Sequence, residues 1–300
     1  MTFIDNLRRH YLSGSLLLRL IYINVAVFLI VRLLMIVSFF GGFETGSLMQ
    51  WLAVPATWVE LLFKPWTLLS YQFTHSDFWH IFFNLIWFYW LGRIFMEFFT
   101  PKQLTALYIL GGIAGGLMFT AVSSLVPALS GTWLIGASAS ILAIVVATAI
   151  YTPDYRINLL FLGSVALKWV VAAYILLDLL SLDSSNMGGS IAHLGGALMG
   201  VAWGVSIKRG HDLTAWLNAF IDSLVALFSR KKAERDNAKK ARPNRGNYQA
   251  STPDPVDTAD EEYRSKEAKL DAALKKIKET GYSALTDEEK EILFSFSRKK

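Results

Sequence analysis

Three short polar motifs interrupt the apolar stretches of this 300-residue chain, and they contain the residue types that acyl-transfer chemistry needs. Ser138 lies in IGASAS, and His193 lies in SIAHLGG. The third motif, HSDFWHIFFN, contains His75, His80 and Asn84. A serine hydroxyl becomes an effective nucleophile when a neighbouring base accepts its proton, and histidine is the natural base near neutral pH. These motifs therefore predict a serine nucleophile that is activated by a histidine.

The same motifs offer donors for an oxyanion. The backbone N–H of Ser138 lies at the start of a predicted helix, where it has no partner within that helix. Because His80 and Asn84 are four residues apart, their side chains share one helix face. The predicted site has Ser138 and His193 as catalytic residues, His80, Asn84 and Gly136 stabilising the oxyanion and substrate, and His75 and Gly196 in support.

Acidic partners for the histidine are scarce. No Asp or Glu near the outer ends of the helices that carry the motifs is well placed as a third catalytic residue. Asp183, in a loop, is the nearest candidate, and the position of Asp178 cannot be assigned from the sequence. We therefore expect a Ser–His dyad. The chain has no cysteine, which excludes thiolate catalysis and cysteine-based metal sites, and no metal or organic cofactor is implied.

Composition predicts that the motifs belong to a membrane domain. The chain is 53% hydrophobic, whereas roughly 45–50% is usual for soluble domains. At about 20 apolar residues per crossing of the bilayer core, six spans are expected. This predicts an all-α polytopic membrane protein with a six-helix bundle. The expected spans are about Leu16–Phe40, Phe78–Phe99, Leu104–Val126, Ser138–Tyr151, Leu167–Leu182 and Ser190–Ile207.

Basic residues in the short loops predict the orientation of these spans. One side carries Arg93, Lys102 and Arg156 among others, whereas the other side carries Lys64 and little else. Both termini are therefore expected in the cytoplasm. The second, fourth and sixth spans then begin at the outer face, which brings the three motifs to a similar depth.

The remaining segments predict four domains or linkers. The segment Gly41–Asp77 is expected to be a partly membrane-embedded outer loop with short flat helices. Near the C-terminus, Thr286 and Glu289 fit a helix capping box. The predicted organisation is a membrane domain over 1–210, an amphipathic interfacial helix over 211–229, a flexible linker over 230–261 and a small cytosolic helical hairpin over 262–300.

Glycines at four-residue spacing are assigned to helix packing, because small residues let membrane helices approach closely. They also predict close contact between the fourth and sixth spans. The net charge of +5 is attributed to topology signals and the solvated tail, so no nucleic-acid partner is expected. The spaced glycines are Gly111 with Gly115, Gly112 with Gly116, and Gly196 with Gly200 and Gly204.

GASA at Gly136–Ala139, AHLGG at Ala192–Gly196 and HSDFWHIFFN at His75–Asn84 resemble the hallmark motifs of rhomboid proteases in order and spacing. The resemblance covers about residues 16–207. It implies an intramembrane serine endopeptidase of a bacterial inner membrane, whose substrates are transmembrane proteins. In this sequence, Thr67 follows Trp66 where many rhomboids have Trp-Arg, and Leu142 occupies the position of a common tyrosine.

Two other functions are compatible with a membrane bundle. A non-proteolytic rhomboid-fold protein that binds membrane clients is the main alternative, although such relatives typically lack the serine or the histidine. A small-solute transporter is ranked last, because the inner halves of the second, fourth and sixth spans are mostly apolar. The partners expected from this interpretation are the lipid bilayer and transmembrane substrates, and the sequence does not indicate an oligomeric state.

Overall fold

The computed structural model describes residues 14–42, 46–159, 163–180, 182 and 186–226, with tail residues 272, 275–277 and 285–290. The chain divides into two compact units, Met1–Ala233 and Glu234–Lys300. Helices dominate the described part of the first unit. They are α1 (Leu16–Gly41), α2 (Gly46–Leu52), α3 (Trp58–Phe63), α4 (Thr67–Ser70), α5 (Phe78–Phe98), α6 (Pro101–Ser123), α7 (Ser138–Tyr151), α8 (Leu167–Leu180), α9 (Met187–Lys208) and α10 (Ala215–Ala226).

The predicted helical membrane fold is confirmed. Within the described residues, α1, α5, α6 and α9 are long and apolar enough to cross a membrane. The helices at the fourth and fifth predicted spans, α7 and α8, have 14 residues each, so the count of six spans stays a prediction. Helix α6 begins at Pro101, earlier than predicted, because Thr100 and Gln103 form a reciprocal capping box there.

Helix α7 forms the centre of the bundle. Every residue from Ala139 to Ala149 is buried, which explains why this helix is apolar on all sides. It packs against α5, α6 and α9. The approach to α9 is close enough that a Cβ added at Gly196 would lie 2.2 Å from the Ala139 carbonyl oxygen. The close contact predicted between the fourth and sixth spans is therefore confirmed.

Two short antiparallel strand pairs, neither of them predicted from the sequence, add to the helical architecture. Strand β1 (Val54–Pro55) pairs with β2 (Trp133–Leu134). Strand β3 (Arg156–Leu159) pairs with β4 (Gly163–Ala166). Strands of two to four residues are too short to show the alternating pattern by which strands are recognised. The first pair ties the outer segment to the loop that precedes α7.

The outer segment contains short helices, as predicted, and two tryptophans fix part of it. The Trp66 ring stacks on Trp51 with centroids 5.4 Å apart, and its indole N–H donates to the Trp51 carbonyl at 2.9 Å. Thr67, the next residue, is fully buried and donates to the Lys64 carbonyl at 2.7 Å. A small side chain therefore fits at the first residue of α4, where its hydroxyl bonds the preceding turn inside the protein.

Helix α10 corresponds to most of the predicted interfacial helix, and two polar contacts tie this helix and the turn before it to the bundle. The Trp203 indole donates to Asp212 at 3.0 Å, and Lys102 pairs with Asp222 at 2.7 Å. The domain boundaries stay predictions, because the linker over 230–261 and most of the hairpin over 262–300 lie outside the described residues.

Within the second unit, the predicted capping box is present. The Thr286 N–H donates to Glu289 at 2.8 Å, and the Glu289 N–H donates to the Thr286 hydroxyl at 3.3 Å. A carboxylate at this position satisfies a backbone N–H that the helix itself leaves free. Lys276 also pairs with Glu289 at 2.9 Å, which joins residues 275–277 to residues 285–290.

Candidate active site

The loop before α7 places Ser138 at the first position of that helix. The pairing of Leu134 with Val54 holds one end of the loop, and the Gly136 N–H donates to the Tyr71 carbonyl at 2.9 Å. Gly136 has a φ of 121°, a backbone conformation that side chains with a Cβ rarely adopt. An added Cβ would also lie 2.8 Å from His80 Nε2. Glycine is thus required both for the turn and for the space beside His80.

Helices α7 and α9 bring Ser138 and His193 into direct contact. The distance from Ser138 Oγ to His193 Nε2 is 2.6 Å, a short hydrogen bond. His193 lies in the second turn of α9, since that helix begins at Met187 and not at the predicted Ser190. The glycines of α9 permit this meeting because they let the two helix backbones approach. The two side chains predicted to be catalytic are therefore within hydrogen-bonding distance.

The other ring nitrogen of His193 faces a carboxylate. His193 Nδ1 lies 2.7 Å from Asp178 Oδ2, and the two side chains are 9% and 14% exposed. The Ser190 hydroxyl donates to Asp178 Oδ1 at 3.3 Å. From the sequence, no acidic partner was expected, and Asp183 was the nearest candidate. Asp183 lies outside the described residues, whereas the structure places Asp178 of α8 beside the histidine.

His80 and Asn84 share the face of α5 that points toward Ser138. His80 Nδ1 lies 3.0 Å from the Ser76 hydroxyl, so Nε2 is the nitrogen on the side of Gly136. Asn84 donates one amide N–H to the His80 carbonyl at 2.8 Å and has a second N–H. The arrangement places potential hydrogen-bond donors beside the nucleophile.

His75 lies behind His80 and outside the cavities described below. Its side chain is 1% exposed, and its ring meets the His80 ring edge-on, with centroids 5.0 Å apart. Neither ring nitrogen has a hydrogen-bond partner among the described residues. Burial and the neighbouring His80 lower the pKa of His75 to about 4. It is therefore a neutral, buried support for the His80 ring near neutral pH.

Because His75 titrates lower in the folded state than the usual value of about 6.5, it should make the protein less stable in acid. Its contribution is complete above pH 6.5, and it declines by about 1.4 kcal/mol per pH unit as the pH falls from 6.5 to 4. Thermal unfolding in detergent at several pH values measures this. His75→Leu should flatten the acid decline, while His211→Leu, at an exposed histidine, should not. An unchanged pH dependence in His75→Leu would contradict the assignment.

Two cavities meet at the Ser138–His193 pair. The larger, of about 740 Å³, is bordered by the loops around Ser76 and Trp133. The smaller, of about 340 Å³, lies deeper between α5, α7 and α8 and is lined mainly by apolar side chains. Both include four polar residues in their linings, so a bound chain in either cavity could reach the serine. These are His80, Ser138, Asn186 and His193.

Two residues of α8 near His193 were not identified from the sequence. Asp178 binds the imidazole, and the Tyr174 hydroxyl lies 3.5 Å from the same His193 Nδ1. A signal existed, because an ionisable residue inside an apolar span usually faces the interior and has a functional partner. Tyr174 and Asp178 are also four residues apart and hence lie on one helix face. Which face of α8 meets His193 was not determined by sequence.

Comparison with known proteins finds a family model that matches the segment carrying this site. Residues 63–210 match the family model of the Rhomboid domain, which includes every predicted site residue. The chain is thus similar to the rhomboid family over just under half of its length. It is 27% identical over 199 residues to the rhomboid proteases GlpG of Pectobacterium atrosepticum and Yersinia enterocolitica. It is also 27% identical over 201 residues to rhomboid protease GlpG of Yersinia pseudotuberculosis.

These rhomboid alignments cover 63% of this chain and 61% of each relative. The chain therefore spans less than two thirds of the length of these relatives. The matched segment contains the helices that carry Ser138 and His193, and it ends before α10. The tail after residue 210 lies beyond the part that the rhomboid family model matches.

Proposed function

We propose that the protein is an intramembrane serine endopeptidase that cleaves transmembrane segments of membrane-protein substrates. The observation that carries the proposal is the 2.6 Å contact between Ser138 Oγ and His193 Nε2 within a bundle of apolar helices. A neutral imidazole at this distance can accept the hydroxyl proton as the oxygen attacks a carbonyl carbon. Similarity to proteins named rhomboid proteases supports the same activity.

In the proposed reaction, Ser138 Oγ attacks the carbonyl of the scissile peptide bond while His193 Nε2 takes its proton. The carbonyl oxygen becomes an oxyanion, which the Ser138 N–H, His80 Nε2–H and the second Asn84 amide N–H stabilise. The protonated imidazole then gives its proton to the leaving amine, and an acyl-enzyme remains. Water attacks the ester with His193 again acting as base, which releases the acid and restores Ser138.

The two cavities at the Ser138–His193 pair have different roles in the proposed reaction. The deeper one lies between α5 and α8, the helices between which a substrate segment is proposed to enter laterally from the bilayer. It can hold apolar substrate side chains next to Ser138. The larger cavity could hold many water molecules, since one water occupies about 30 Å³ in the liquid. This larger cavity supplies the hydrolytic water from the outer face of the membrane. The membrane is proposed to be a bacterial inner membrane, with both termini of the protein in the cytoplasm.

Cleavage in a defined bilayer tests the proposed function. Purified protein in liposomes is mixed with a single-span substrate, and the products are identified by mass spectrometry. The protein is expected to cut within or next to the transmembrane segment, and a fluorophosphonate that modifies Ser138 should stop the reaction. Binding without cleavage across a panel of single-span substrates, with no modification of Ser138, would instead support the client-binding alternative.

Asn84→Ala should lower kcat by about 10²–10³-fold, because removing one oxyanion donor typically has an effect of that size. KM should change little, since the donor acts mainly on the charge of the intermediate. Steady-state cleavage in liposomes measures both constants. Gln103→Ala provides an amide control, because Gln103 caps α6 and donates to Asp212, outside the residues lining the proposed site. Wild-type kcat in Asn84→Ala would remove Asn84 from the oxyanion site.

A further inference from the structure

Helix α8 supplies a carboxylate to the base, and this contact extends the Ser–His pair. We propose that Asp178 is a positioning residue that completes a Ser138–His193–Asp178 triad and orients the imidazole for catalysis. The proposal rests on the proposed protease function and adds a member to its site. It also makes the position of α8, one wall of the substrate cavity, part of what assembles the active site.

Both oxygens of the Asp178 carboxylate have a hydrogen-bond partner on α9. Oδ2 lies 2.7 Å from His193 Nδ1, and Oδ1 accepts the Ser190 hydroxyl at 3.3 Å. Ser190 is 2% exposed and lies on α9, less than one turn before His193. Two bonds to one helix hold the carboxylate in a fixed orientation. Such a carboxylate specifies where the imidazole proton resides.

The location of Asp178 is energetically unfavourable unless it has a partner. A carboxylate in the last turn of a helix lies at the negative end of the helix dipole. The same carboxylate lies in an apolar helix and is only 14% exposed, so its charge is poorly hydrated. The charge-assisted bond to His193 offsets these costs. No other imidazole among the described residues hydrogen-bonds this carboxylate, so the partnership with His193 is specific.

The carboxylate would select the tautomer that Ser138 needs. Asp178 accepts the proton on Nδ1, which leaves Nε2 unprotonated and facing the Ser138 hydroxyl at 2.6 Å. When His193 takes the serine proton, both nitrogens carry hydrogen and the adjacent carboxylate stabilises the cation. The proton stays on the imidazole until it passes to the leaving amine, so Asp178 itself gains no proton.

Tyr174 on α8 contacts the imidazole, whereas no tyrosine lies one turn after the nucleophile on α7. Leu142 occupies the position one turn after the nucleophile and is buried in the core. Tyr174 instead approaches the imidazole from α8, with ring centroids 5.9 Å apart and its hydroxyl 3.5 Å from Nδ1. Two side chains one turn apart on α8 thus restrain His193. The base is held from the fifth predicted span and not from the helix of the nucleophile.

The way α8 is attached to the bundle affects the contact between Asp178 and His193. Only Leu167 and Val171 of this helix are buried, and both lie in its first half. In the half that bears Asp178, the partly buried Ile175 packs against the core, and the polar contacts around His193 add to this attachment. An outward movement of that half would separate the carboxylate from the imidazole, and the Ser–His pair would lose its orienting group.

Asp178→Asn tests the triad in liposomes because it preserves the shape of the side chain and removes its charge. An amide N–H₂ beside Nδ1 favours the wrong tautomer, so kcat should fall by about 10²–10⁴-fold while KM stays within a few-fold. The rate of Ser138 modification by a fluorophosphonate should fall in parallel. Nitrogen-15 NMR of histidine-labelled protein should show the Nδ1–H tautomer of His193 in the wild type, and its loss in the variant.

Two single variants and one double variant separate positioning from folding. Asp154→Asn breaks an exposed ion pair with Lys168 at the other end of α8, and it should leave kcat unchanged. Ser190→Ala removes one bond to the carboxylate, so it should lower kcat by a smaller factor than Asp178→Asn. In a His193→Ala background, Asp178→Asn should have no additional effect.

The triad is overturned if Asp178→Asn keeps wild-type kcat and the wild-type His193 tautomer. In that case, loss of activity in Ser138→Ala and His193→Ala would leave the protease assignment standing. Loss of kcat with an unchanged tautomer and an unchanged labelling rate would also overturn the positioning role. If Asp178→Asn, Ser138→Ala and His193→Ala all cleave as the wild type does, the proposed function itself fails.

Discussion

Replacing Ser138 or His193 by alanine is expected to lower kcat by roughly 10⁴-fold or more, and the double replacement should add little. The two side chains act through one proton transfer across 2.6 Å, so either loss removes the same step. Cleavage of a single-span substrate in liposomes measures the effect. Substrate binding should persist in both variants, because cavity walls formed by other residues remain.

Ser223→Ala is the matched control for these replacements. Ser223 is on α10, where its hydroxyl donates to the Ala219 carbonyl at 2.8 Å, and it should keep wild-type kcat. Thermal unfolding of all variants checks that they are folded. Multiplicative effects of Ser138→Ala and His193→Ala would contradict a shared step, and would assign the two residues to separate functions.

Gly196→Ala is expected to destabilise the fold strongly and to remove activity. The added Cβ would lie 2.2 Å from the Ala139 carbonyl oxygen and 2.8 Å from the Ala139 carbonyl carbon, both backbone atoms of the central helix. Backbone cannot move aside as a flexible side chain can, so α7 and α9 must separate. Overpacking of this kind costs about 1–3 kcal/mol or more. Separation would also lengthen the contact between Ser138 and His193.

Thermal unfolding and kcat, measured on the same detergent-solubilised samples, test this prediction. Ala202→Val is the control, because it adds bulk to an exposed position of the same helix and should change neither quantity greatly. An unfolding midpoint and kcat equal to those of the wild type in Gly196→Ala would show that the two helices do not need this approach. A lower midpoint with normal kcat would separate packing from catalysis.

Apolar runs and polar motifs in the sequence predicted several helices, the candidate site residues and one close helix contact. Apolar runs of about 20 residues predicted α1, α5 and α6 to within a few residues. Ser138, His193 and Asn84 were selected because polar groups are costly at membrane depth unless they have a role. The spacing of Gly196 and Gly200 predicted the close contact of α7 and α9. Each of these inferences needs only the sequence near one residue and the physics of a bilayer.

Features that depend on the relative placement of helices were not predicted. Asp178 meets His193 only because of the rotation of α8 about its own axis, and a helix apolar on most faces does not specify that rotation. The pairing of β1 with β2 joins segments about 80 residues apart through two residues each. Such contacts leave no periodic pattern. Of the hairpin predicted over 262–300, the Thr286 capping box is present, and most of the remainder lies outside the described residues.

Mass spectrometry of the protein after reaction with a fluorophosphonate tests the central claim most directly. The adduct is expected on Ser138 and not on Ser140, whose hydroxyl is buried and donates to Gln72 at 3.1 Å. His193→Ala should prevent the modification, and the modified wild type should no longer cleave its substrate. Modification of a different serine, with full proteolysis by Ser138→Ala, would contradict the account.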